Sequence, residues 1–117
     1  MDSGRERRID TRVPVDLAAH LELKGAQVPV RAVDLSVGGA LLECRNLDWP
    51  EPGEAVLVSL ALDGRRLDLL ARIVRRSGEI RAAVAFESMD GACESALARF
   101  VRARDRQRLR THLHLLG

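Results

Sequence analysis

Apolar and polar residues alternate along most of the chain with a period of two. Between Val13 and Leu23 every odd-numbered position is apolar, and Asp16, His20 and Glu22 lie between them. This alternation is typical of a strand that buries one face and exposes the other. Apolar-rich runs bounded by turn-forming residues predict five further strands, over 28–33, 40–44, 55–62, 67–75 and 80–86.

Turn-forming residues separate these predicted strands. Asp63-Gly64 is a strong signal for a two-residue hairpin. Gly25-Ala26-Gln27 and Ser77-Gly78 predict two further turns, and the proline-containing stretch 46–53 predicts a loop. Short strands that follow one another closely predict an antiparallel barrel or sandwich. The same spacing favours a meander, in which each strand pairs with the next, over β-α-β units.

The period changes after Asp90-Gly91. Apolar residues such as Leu97, Phe100 and Leu109 then recur at helical spacing, with arginine at most other positions. This pattern predicts an amphipathic helix over about 92–112, whose first half covers an open end of the barrel while the residues after it fray or pack elsewhere. We therefore predict a six-stranded antiparallel β-barrel with a C-terminal α-helix packed on it.

The composition fits one globular domain. The 117 residues are 46% hydrophobic and 31% charged, which is ordinary for such domains. No apolar run approaches the roughly 20 residues that span a bilayer, and the polar N-terminus lacks the apolar segment of a signal peptide. We therefore expect a cytoplasmic protein in which Cys44 and Cys93 are reduced and packed.

The net charge of +2 is distributed unevenly. Residues 99–110 carry six arginines against one acidic residue, Asp105. Such a face can be solvated, can contact a protein partner, or can bind nucleic acid or anionic lipid. The chain has three aromatic residues and no tyrosine, so aromatic platforms for single-stranded nucleic acid are nearly absent.

The sequence contains no catalytic or metal-binding pattern. We find no nucleophile motif, phosphate-binding loop or paired-carboxylate cleft. His112 and His114 would point in different directions on a helix, and no carboxylate or thiol stands at ligand spacing from them. We therefore expect a protein that is not an enzyme and that holds neither a metal nor a cofactor.

Two short motifs are not explained by the strand and turn pattern alone. Arg8 and Arg12 form an R-x-x-x-R motif just before the first predicted strand, and Asp34, Ser36 and Gly39 form a D-x-S-x-x-G motif between the second and third strands. Taken alone, the first is typical of a solvated tail and the second of an aspartate-initiated turn. Their combination, at these places in a chain of six strands, resembles the PilZ domain family.

The resemblance covers nearly the whole chain and implies a receptor for the bacterial messenger cyclic di-GMP. It implies a flexible ligand-binding arm over 1–12, which becomes ordered over the barrel domain of 13–117 when the ligand binds. The signal would then pass to an unidentified protein partner. The implied ligand-binding residues are Arg7, Arg8, Arg12, Asp34, Ser36, Gly38 and Gly39.

The implied roles fit the chemistry of the ligand, which presents phosphates and guanine bases. Arg8 and Arg12 can each pair bidentately with a phosphate or a guanine edge. Asp34 can accept from the guanine N1–H and N2–H groups, and Ser36 can donate to a phosphate or fix the turn. Gly39 provides a positive φ or lets the ligand approach the backbone. In this family the residue at the position of Arg7 is associated with whether one ligand or a stacked pair binds, and Arg7 as a further cation favours the stacked pair.

Two other functions stay open. A PilZ-like module could bind a protein partner without any nucleotide, and a basic barrel could bind nucleic acid through its helix arginines. The chain also departs from the family pattern in its last strand. That strand commonly carries a glycine before its closing aromatic residue, whereas residues 82–85 contain none before Phe86, so the local geometry of the strand stays open.

Overall fold

The computed structural model describes residues 11–116, with side chains described through Thr111. Within this range the chain forms a closed six-stranded antiparallel β-barrel and a C-terminal helix, so the predicted fold class is confirmed. The elements are β1 (Val13–Leu23), β2 (Ala26–Leu35), β3 (Gly39–Glu43), β4 (Ala55–Leu62), β5 (Arg65–Ser77), β6 (Arg81–Phe86) and α1 (Gly91–Leu116).

The strand order around the barrel is β1-β2-β3-β6-β5-β4, and β4 closes the barrel by pairing with β1. The predicted meander is therefore wrong, because β3 pairs with β6 and not with β4. A two-residue turn forces the strands that it joins to pair, but β3 and β4 are joined by the longer segment 44–54. This segment contains Pro50 and Pro52, and its length lets the chain cross to the other side of β1.

Four pairs of strands are neighbours in both sequence and space, and two of these pairs are joined by two-residue turns. The β1–β2 turn has φ of 51° at Lys24 and 81° at Gly25, and the β4–β5 turn has 48° at Asp63 and 77° at Gly64. Positive φ at both central residues is the mark of a type I′ hairpin turn. The hairpin predicted at Asp63-Gly64 is confirmed. The first turn was predicted one residue too late, since β2 already begins at Ala26.

The interior of the barrel is apolar. The alternation predicted for β1 is confirmed, because Val13, Leu17, Ala19 and Leu21 are buried. The largest fully buried side chains are those of Leu21, Leu35, Leu42, Leu60, Leu69, Ile73, Leu97, Val13 and Val58. Burial of such a side chain contributes about 1.5–3 kcal/mol, and this core fixes the strands that carry the motif residues.

The first half of α1 packs on the barrel. Its buried residues are Ala96, Leu97, Phe100 and Val101. The Oδ1 atom of Asp90 accepts a hydrogen bond from the backbone N–H of Cys93 at 2.7 Å, which caps the start of the helix. The helix extends to Leu116, past the predicted end near 112, because the arginine- and leucine-rich sequence favours helix to its last turn.

Candidate ligand-binding site

The two sequence motifs meet where β1 begins and β2 ends. Antiparallel pairing sets Val13 opposite Leu35 and Pro14 opposite Asp34. Arg12 immediately precedes β1 and therefore lies beside Asp34. The Nη1 atom of Arg12 is 3.8 Å from Oδ2 of Asp34, and the two side chains are 61% and 29% exposed. The barrel thus brings together one residue from each motif.

The Arg12–Asp34 pair is close but open. A separation of 3.8 Å is an ion-pair contact without a direct hydrogen bond. Within residues 11–116, the Asp34 carboxylate accepts no hydrogen bond from another side chain or from the backbone. A guanidinium and a carboxylate that both keep their hydrogen-bonding capacity can complement a ligand that offers acceptors and donors side by side.

Ser36 closes the turn between β2 and β3. Its backbone N–H donates to the carbonyl oxygen of Gly39 at 2.9 Å. Its Oγ accepts from the N–H of Gly39 at 3.1 Å and lies 3.3 Å from the Gly39 carbonyl oxygen, to which it donates. The residue is 4% exposed. The sequence left two roles open for Ser36, donating to a phosphate or fixing the turn, and these contacts fix the turn.

Gly39 lies on β3 opposite Ala85 of β6, where the two backbones lie close together. A Cβ atom added at this position would stand 2.2 Å from the carbonyl oxygen of Val84, far inside van der Waals contact. Of the two reasons that the sequence offers for Gly39, a positive φ does not apply, since its backbone lies outside the left-handed region. The Gly38 carbonyl oxygen accepts from the N–H of Phe86 at 2.8 Å. Both glycines therefore help to join the motif turn to β6.

Helix α1 brings a further cation to this end of the barrel. The Nη1 atom of Arg108 donates to the carbonyl oxygen of Arg12 at 3.3 Å. The two sequence motifs do not include Arg108. Its signal in the sequence is spacing alone, since it follows the buried Phe100 by eight residues and so continues the same helix face. Arg7 and Arg8, the other predicted arginines, lie outside the described residues.

The other reactive side chains of residues 11–116 form neither a disulfide nor a metal site. Cys44 and Cys93 are free and half-buried. Burial, with a smaller effect from the Asp90 charge, raises the pKa of Cys93 above its usual value. No cluster of histidine, cysteine and carboxylate side chains in the described part of the chain could hold a metal ion. Within residues 11–116, no helix has the length and apolar character needed to cross a membrane.

Comparison with known protein families identifies the family of this chain. The family model of the PilZ domain matches residues 6–103. The chain belongs to the PilZ domain family. The match contains both motifs, from Arg8 to Arg12 and from Asp34 to Gly39, and confirms the resemblance seen in the sequence. It ends within α1, so that Arg104 and Arg108 lie beyond it. No curated protein sequence matches the chain.

Solved structures share the fold of this PilZ domain. The inhibitor of motility MotI/DgrA of Bacillus subtilis is 15% identical with a TM-score of 0.75, over 84% of this chain and 51% of that one. The PilZ domain of YcgR from Escherichia coli, solved with c-di-GMP, is 19% identical with a TM-score of 0.71, over 91% and 97%. PlzA of Borreliella burgdorferi, also in complex with c-di-GMP, is 18% identical with a TM-score of 0.61, over 84% and 42%.

The structural similarity covers only part of the longer related proteins. The chain spans about half the length of the Bacillus subtilis protein and nearly all of the isolated Escherichia coli domain. At these levels of identity the structures establish the shared fold.

Proposed function

We propose that this PilZ domain is a non-catalytic receptor for cyclic di-GMP. The observation that carries the proposal is the open pair of Arg12 and Asp34, 3.8 Å apart, beside the turn that Ser36 closes. Both motifs lie inside the PilZ match. Structures of related fold from Escherichia coli and Borreliella burgdorferi contain c-di-GMP, which supports the same ligand here.

The chemistry of the pair suits a guanine nucleotide. The Arg12 guanidinium can donate two parallel hydrogen bonds to guanine O6 and N7 or to phosphate oxygens. The Asp34 carboxylate can accept from N1–H and N2–H of guanine. In this proposal Ser36, Gly38 and Gly39 hold the turn on which the ligand rests. Their side of the site is rigid, because the turn is hydrogen-bonded within itself and to β6.

The N-terminal arm supplies the rest of the ligand contacts in this proposal. Arg7 and Arg8 reach the phosphates or guanine edges opposite Asp34, and residues 5–12 become ordered over the barrel as they do so. Ordering each residue costs about 1–2 kcal/mol of conformational entropy, which the charge-assisted contacts with the ligand must offset. Arg7 adds a cation that favours a stacked pair of ligands. The changed surface then binds a protein partner in the cytoplasm.

Calorimetric titration with cyclic di-GMP tests the proposal. We expect the wild type to bind with micromolar or tighter affinity, and Arg8→Ala/Arg12→Ala to bind at least about a hundredfold more weakly, a loss of about 2.7 kcal/mol. Arg66→Ala is the matched control, because Arg66 is an exposed arginine on β5, opposite β2 in the strand order. The titration also gives the number of ligands per chain. Absence of binding by the wild type would refute the proposal.

One observation favours a different function, the binding of nucleic acid by the arginines of α1. Arg99, Arg102, Arg106 and Arg110 have no ion pair within residues 11–116, so this face keeps its charge for an anionic polymer. A nucleic-acid binder would show an affinity that falls steeply with salt and that does not change in Arg8→Ala/Arg12→Ala. The receptor proposal expects the opposite dependence on these two arginines.

A further inference from the structure

We propose that Arg104 and Arg108 of α1 form a second wall of the cyclic di-GMP site and bind a phosphate of the ligand. This inference rests on the proposed receptor function and adds residues that lie beyond the PilZ match, which ends at residue 103. It assigns the second half of the helix a direct role in binding.

The first observation is the face of the helix on which the two arginines lie. Phe100, Arg104 and Arg108 follow one another at intervals of four residues, so they share one face. Phe100 is 6% exposed and belongs to the core. A helix that only covered the barrel would continue this face with apolar residues. Here the face changes from aromatic to cationic where α1 passes the start of β1.

The second observation is a groove between α1 and the start of β1. Pro14, Arg104, Gln107 and Arg108 are among the residues that line it, and its volume is about 670 Å³. This volume lies within the usual range of ligand sites, about 300–1,000 Å³. Because Pro14 pairs with Asp34 in the barrel register, the groove lies next to the open Arg12–Asp34 pair.

The third observation is that, among the described residues, both guanidinium groups keep free donors. Arg108 donates one hydrogen bond to the Arg12 carbonyl oxygen at 3.3 Å, and its contact with Asp105 is a 3.7 Å ion pair without a hydrogen bond. A guanidinium carries five N–H groups. The Arg104 guanidinium lies over the Phe100 ring, 4.7 Å from its centroid. This stacking orients the group and leaves its N–H edge available.

The charge of the region fits an anion. Arg12, Arg104 and Arg108 stand against Asp34 and Asp105 among the described residues that border the groove and the pair, which leaves one excess positive charge. Phosphate oxygens accept bidentate hydrogen bonds from arginine. Arg108 also contacts the backbone of Arg12, so a phosphate held there would join the helix to the base of the N-terminal arm.

The same helix offers a matched control. Arg102 and Arg106 are exposed, lie on the opposite face, and have no ion pair within the described residues. We would compare Arg104→Ala/Arg108→Ala with Arg102→Ala/Arg106→Ala, since each double variant removes two positive charges from α1. Calorimetry with cyclic di-GMP at one fixed salt concentration should show affinity at least about tenfold weaker for the first variant, or about 1.4 kcal/mol. The second should stay within about twofold of the wild type.

Three results would overturn the inference in different ways. If the wild type binds and Arg104→Ala/Arg108→Ala binds equally well, the helix wall is wrong and the receptor function stands. If both double variants lose affinity equally, the helix acts only through its overall charge. If the wild type does not bind, the receptor function itself fails. Should the alanine variant not fold, Arg104→Lys/Arg108→Lys keeps the charge but removes the fork, and we expect it to bind at least about threefold more weakly.

Discussion

Two arginine–aspartate pairs lie on opposite sides of the barrel and differ in how completely they are satisfied. On β5, Oδ1 of Asp68 accepts hydrogen bonds from Ser59 Oγ at 2.6 Å and from Arg66 Nε at 3.0 Å. Beside β2, Arg12 and Asp34 approach only to 3.8 Å. The first group forms a closed network around Ser59, which is 7% exposed. The second is an open pair beside a groove.

This difference in hydrogen bonding distinguishes a structural cluster from a candidate ligand-binding site. The hydrogen bond from Ser59, together with that from Arg66, lowers the pKa of Asp68 below its usual value of 3.8. Oδ1 of that carboxylate is therefore occupied inside the protein, whereas neither oxygen of Asp34 accepts a hydrogen bond within residues 11–116. Asp34 has the same chemistry and the opposite arrangement. The residue type is therefore a weaker guide to function than the state of its hydrogen bonds.

The largest expected effect concerns the turn on which the open pair stands. Gly39→Ala places a Cβ 2.2 Å from the Val84 carbonyl oxygen, so β3 and β6 must separate. We expect a loss of about 2–3 kcal/mol in the free energy of unfolding, as for overpacked sites, measured by urea denaturation. Gly91→Ala is the control, since a Cβ there meets nothing within 4 Å. Equal stability of the two variants would show that this turn is not a rigid support.

A smaller effect is expected for the closed network. Asp68→Asn removes the charge from the bonds with Ser59 and Arg66, and we expect it to destabilise the fold by about 0.5 kcal/mol at neutral pH, because the pair is solvent-screened. The folded pKa of Asp68 is lowered, so its contribution is present above the unfolded pKa and is lost as pH falls through the folded one. The difference between the melting curves of the variant and of the wild type should therefore shrink as the pH falls below about 3.8. A difference that grew on acidification would contradict this account.

The smallest effect on stability is expected at the open pair. Arg12 is 61% exposed and forms no hydrogen bond with Asp34, so Asp34→Asn should change the free energy of unfolding by less than about 0.5 kcal/mol. Urea denaturation of Asp34→Asn and Asp68→Asn side by side would measure the contrast directly. A larger loss for Asp34→Asn would make the pair structural and remove the distinction drawn here.

Much of the barrel could be predicted from the sequence because strand alternation is a local signal. Strands β2 and β5 are longer than predicted. Charged residues such as Asp34 and Arg76 lie at the ends of these strands, where the sequence is also typical of a loop. The strand order could not be predicted in the same way. A long connection such as 44–54 does not specify which strand the chain joins next, and pairing of β3 with β6 depends on the whole barrel closing.

The motifs predicted where the site lies but not the hydrogen bonds and packing contacts of its residues. The position of Asp34 and Ser36 at the end of β2 follows from the spacing of strands and turn. That Ser36 satisfies its hydroxyl within the turn, and that Gly39 is required by the Val84 carbonyl oxygen, depends on distances between strands remote in sequence. The contact of Arg108 with Arg12 joins α1 to the start of β1, and the helical spacing of Arg108 does not predict this partner.

The central claim is that the open pair binds cyclic di-GMP and the closed network does not. Calorimetric titration of the wild type, Asp34→Ala and Asp68→Ala with this ligand tests it most directly, because the two variants remove the same carboxylate from opposite sides of the barrel. We predict binding by the wild type, a loss of at least about tenfold in Asp34→Ala, and a change within about twofold in Asp68→Ala. Absence of binding by the wild type, or equal losses in the two variants, would contradict the claim.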